Sequence, residues 1–77
     1  MTINEFNILS FADKYNVAID NGIFLYNFVT KDEVYECYSF ENFTVEIVYD
    51  DENAVIELRS FETGEMVNKF SGKIVLL

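Results

Sequence analysis

The chain has 77 residues, 51% of them hydrophobic and 17% aromatic, with fourteen Asp and Glu against five Lys and Arg for a formal net charge of −9. That is one domain's worth of chain, too rich in large apolar side chains for a disordered acidic tail and too poor in bases to grip phosphates. With no histidine and one cysteine, Cys37, it lacks the usual general base, a disulfide partner and the ligand sets of zinc and haem.

Thr2-Ile3-Asn4-Glu5 has the pattern of a capping box, so a helix is expected to start there. Ile3, Phe6, Leu9 and Ala12 follow at helical spacing, as do Ile8, Phe11 and Tyr15, and Asn16 suits the exit. Ser10, with Asp13 three residues on, is a rival start.

From Val17 the pattern becomes β. Asp20-Asn21-Gly22 carries the Asn-Gly signal of a tight hairpin, which predicts a short strand over 16–20 and a longer one over 23–30. The polar turn Thr30-Lys31-Asp32-Glu33 leads into a strand over 34–41, and Glu41-Asn42 makes the next tight connection. In 43–49, Phe43, Val45, Ile47 and Tyr49 fall on one face and Thr44 and Glu46 on the other. Asp50-Asp51-Glu52-Asn53 closes a hairpin into 54–61, and Glu62-Thr63-Gly64-Glu65 another into 66–70. Ser71-Gly72 bends or bulges that strand before Ile74–Leu77.

The expected fold is α+β: a single acidic domain over 1–77, with one N-terminal helix packed on a five- to six-stranded antiparallel meander sheet. Strand 23–30 is apolar on both sides, with Ile23, Leu25 and Val29 on one and Phe24, Tyr26 and Phe28 on the other. One short helix cannot cover both faces, so the sheet either curls or leaves an aromatic patch exposed.

The apolar runs span only a few residues, against the ~20 that a membrane helix needs. No basic region followed by an apolar run marks a signal peptide, and a lone cysteine suits a reducing compartment, so a cytoplasmic setting is expected. Abundant Phe, Tyr, Asn and Ile with no Pro or Trp is the usage of an AT-rich genome, pointing to a low-GC bacterium, its phage or its plasmid.

Catalysis is not expected. Cys37 has no base in sequence to activate it, and a small sheet offers little room for a carboxylate pair in a cleft. An EF-hand starting at Asp50 would need Gly at its sixth position and Glu at its twelfth, where Val55 and Phe61 stand. No metal and no cofactor are therefore expected. Nor is direct binding of nucleic acid, since Lys14, Lys31, Arg59, Lys69 and Lys73 are scattered singly.

The acids are clustered instead. Asp32 to Glu65 holds eleven carboxylates and one base, Arg59, a net of −10. Acids two apart on a strand lie ~6.6 Å apart and those on neighbouring strands ~5 Å apart, so a sheet can display an array resembling a polyanion. The candidate partner-binding residues are Asp32, Glu33, Glu36, Glu46, Asp50, Asp51, Glu52 and Glu57, with Tyr35 and Tyr49 among them.

The expected function is a non-enzymatic inhibitor from a phage or other mobile element. It would block the basic nucleic-acid-binding surface of a host defence nuclease, a CRISPR effector being one instance. Two alternatives remain: a structural or assembly module, including a homodimer, that uses an exposed aromatic sheet face, and an immunity protein or antitoxin against a basic toxin. A solubilising surface, common among acidic proteins, is the background against which all three stand.

Overall fold

A computed structural model describes residues 1–62. Both sequence signals for a helix start operate. Thr2 Oγ1 accepts from the Glu5 N–H at 3.1 Å, while the Thr2 N–H donates to Glu5 Oε1 at 2.7 Å. This reciprocal box opens α1 (Ile3–Asn7). Ser10 Oγ then accepts from the Asp13 N–H at 3.1 Å and opens α2 (Phe11–Asn21). The single helix of the sequence reading is thus two.

The short strand expected over 16–20 is helical. Ala18 lies one turn after Tyr15 and two turns after Phe11, and it is fully buried among Phe6, Tyr38 and Val45. That packing outweighs the β preference of Val17 and Ile19. Gly22 does not sit in a tight turn either. It caps α2 with φ −75° and ψ 154°, and its N–H donates to the Ala18 carbonyl at 3.0 Å. Glycine is needed there for closeness: a Cβ would lie 2.6 Å from the Ala18 oxygen and 2.9 Å from Tyr38 Cβ.

The sheet has four strands among the described residues: β1 (Ile23–Val29), β2 (Val34–Ser39), β3 (Phe43–Tyr49) and β4 (Val55–Glu62). They form an antiparallel meander in sequence order. The expected count of five to six is not matched, because 16–20 is helical; the strands expected over 66–70 and 74–77 lie outside the described residues. Each connection is set by its own polar groups. Thr30 Oγ1 accepts from the Glu33 N–H at 3.0 Å, and the Phe40 N–H donates to the Phe43 carbonyl at 2.8 Å. Asp50 Oδ1 accepts from the N–H groups of Glu52 at 2.8 Å and Ala54 at 2.9 Å, and Asn53 takes the left-handed conformation at φ 66°.

The helices cover one face of the sheet. Phe43, Val45 and Ile47 are buried there with Phe6 and Ala18, and Tyr49 and Leu58 pack around them. The Phe6 ring centroid is 5.5 Å from Phe43, which stacks on Phe40 at 4.7 Å. Each such buried side chain contributes ~1.5–3 kcal/mol. Both helices lie against β4, so β1, at the opposite edge, is left uncovered. On the far face Cys37, Glu46 and Val48 are buried, flanked by Tyr26, Tyr35, Arg59 and Phe61.

Simple alternation fails in β1. The register slips between Phe24 and Tyr26, with Leu25 as the extra residue. Phe24, Asn27 and Val29 consequently share the helix side, whereas Ile23, Tyr26 and Phe28 share the far side. Phe24 meets Tyr38 edge-on at 5.6 Å, and Phe28 meets Tyr35 at 5.9 Å. The sequence pattern left open whether the sheet curls or leaves an aromatic patch exposed; the exposed residues here are Ile23, Phe24, Leu25 and Val29, of which one is aromatic.

Candidate partner-binding site

An antiparallel meander puts its first and third turns at the same end. Asp32 and Glu33 in the β1–β2 turn therefore share one end of the sheet with Asp50, Asp51 and Glu52 in the β3–β4 turn, and the pair Val34↔Tyr49 joins them. Two strand spacings separate the turns, about 10 Å. Lys31 is the one base in these two turns, so among the described residues the turns at this end carry five acids to one base.

These acids have unequal duties. Asp50 holds its turn together through the two N–H groups it accepts. Glu33 accepts from the Tyr35 hydroxyl at 2.6 Å, and that bond, with some burial, raises the Tyr35 pKa. Asp32, Asp51 and Glu52 are exposed and present their carboxylates to water.

The mid-sheet acids are arranged differently. Glu46 is wholly buried on the far face and accepts from Arg59 Nη1 at 3.1 Å. Arg59 also donates through Nε and Nη2 to the two oxygens of Glu57, at 2.6 Å each, in a two-pronged clasp. That clasp, then the charge of Glu46, raises the Arg59 pKa against the opposing effect of burial. Glu36 lies on the helix face, where it accepts from the Tyr38 hydroxyl at 3.2 Å. Tyr49 is on that same face; burial first, then hydrogen bonding with Tyr15 and Glu36, raises its pKa.

The structure thus brings Asp32, Glu33, Asp50, Asp51, Glu52 and Tyr35 to one end of the sheet. It sends Glu46 and Glu57 to an Arg59 cluster, and Glu36 and Tyr49 to the helix side. Sequence reasoning placed Glu46 and Glu57 among the candidate partner-binding acids and did not pair either with Arg59. The signal was present in the opposite charges at 46 and 59, which become cross-strand partners once the Asp50–Ala54 turn fixes the register.

Among the described residues no group of three or more Cys, Asp or Glu is placed to hold a metal ion, and no helix is long and apolar enough to cross a membrane. Comparison with protein-family models, with curated proteins and with solved structures finds no match to this chain.

Proposed function

We propose that this protein is a small non-enzymatic inhibitor, encoded by a phage or other mobile element, that occupies the basic nucleic-acid-binding surface of a host defence nuclease in the cytoplasm. The observation that supports it is the convergence of Asp32, Glu33, Asp50, Asp51 and Glu52 at one sheet end. The four strands span ~14 Å there, over which one strand of DNA carries about four charges. Five acids and Lys31 supply the same net charge over that width. Long-range attraction speeds the encounter, and Tyr35 at the rim of the acidic end adds contact area that slows release.

The test exploits the division of labour among the acids. Asp32→Asn, Asp51→Asn and Glu52→Gln together remove three exposed charges and leave Asp50 and Glu33 to hold their local bonds. Captured from host lysate at low salt, a nucleic-acid enzyme should bind the wild type, dissociate at moderate salt and ignore the triple variant. Capture indifferent to both salt and the variant would overturn the proposal. An immunity protein or antitoxin would use the same surface, and recovery of a basic toxin in place of a nucleic-acid enzyme identifies it.

A further inference from the structure

We draw no further inference here: the strongest candidate, the outer edge of β1 with Ile23, Phe24, Leu25 and Val29 exposed, is interrupted by the bulge at Leu25, and nothing in the structure shows what covers it.

Discussion

Arg59 and Glu46 form a cross-strand ion pair whose halves sit in different surroundings: the Glu46 side chain is 0% exposed, while that of Arg59 is 33% exposed. The carboxylate cannot be hydrated, so it depends on its protein donors, whereas the guanidinium keeps partial contact with water. The pair is consequently asymmetric under mutation. Arg59→Met removes the ion-pair partner of a buried carboxylate and should destabilise the fold by about 3 kcal/mol, the low end for breaking a buried pair because Arg59 is only partly enclosed. Glu46→Leu combined with Arg59→Met should recover most of that loss. Urea unfolding midpoints of the two single variants and the double variant check this, and additive losses would show that the pair is not coupled.

Gly22 separates a close-packed cap from a flexible turn. Gly22→Ala should cost about 1–3 kcal/mol, because the new methyl collides with the Ala18 carbonyl and with Tyr38 Cβ. Asn21→Ala should stay within about 0.5 kcal/mol, because Asn21 is exposed at the end of α2 and has no positive φ. A hairpin at this position would reverse the order of the two effects. Thermal melts of both variants distinguish the cases.

Ser10 supplies the first turn of α2 with its acceptor. Ser10→Ala should therefore cost about 1 kcal/mol, and Ser10→Asp should restore it. Chemical denaturation followed by far-UV circular dichroism gives both values.

The tyrosines should make the fold sensitive to alkali. Burial, with Glu36 next to it, pushes the Tyr38 hydroxyl from 10.0 up to about 12, and burial likewise raises Tyr26 and Tyr49. A folded pKa above the unfolded one means that the native state holds the proton more tightly. The stability from neutral Tyr38 is complete below pH 10 and is lost as the pH rises through about 12. Tyrosinate absorbance should rise late and together with loss of ellipticity. Full ionisation near pH 10 with the fold intact would contradict the buried placement.

What could be read in the sequence depended on range. The capping signals at Thr2 and Ser10, the alternation of Phe43 to Tyr49 and the acidic turns are local, and each was legible. Residues 16–20 were misread because Val17 and Ile19 favour strands in isolation, and only the pocket for Ala18 decides for a helix. The bulge at Leu25 was invisible because one extra residue leaves no mark in an apolar run. The convergence of the acidic turns needed only the strand order, whereas the diversion of Glu46 and Glu57 to Arg59 needed the register.

The cap at Gly22 also bears on how the molecule ages. Asn-Gly is the dipeptide most prone to deamidation, in which the glycine nitrogen attacks the asparagine side-chain carbonyl, ammonia leaves, and water then opens the succinimide ring to aspartate or isoaspartate. Here that nitrogen is engaged with the Ala18 carbonyl, and Asn21 is held in helical geometry. Native protein should keep Asn21 for long periods, and each unfolding event should expose it. The amount of isoaspartate at position 21 then records the time a sample has spent unfolded.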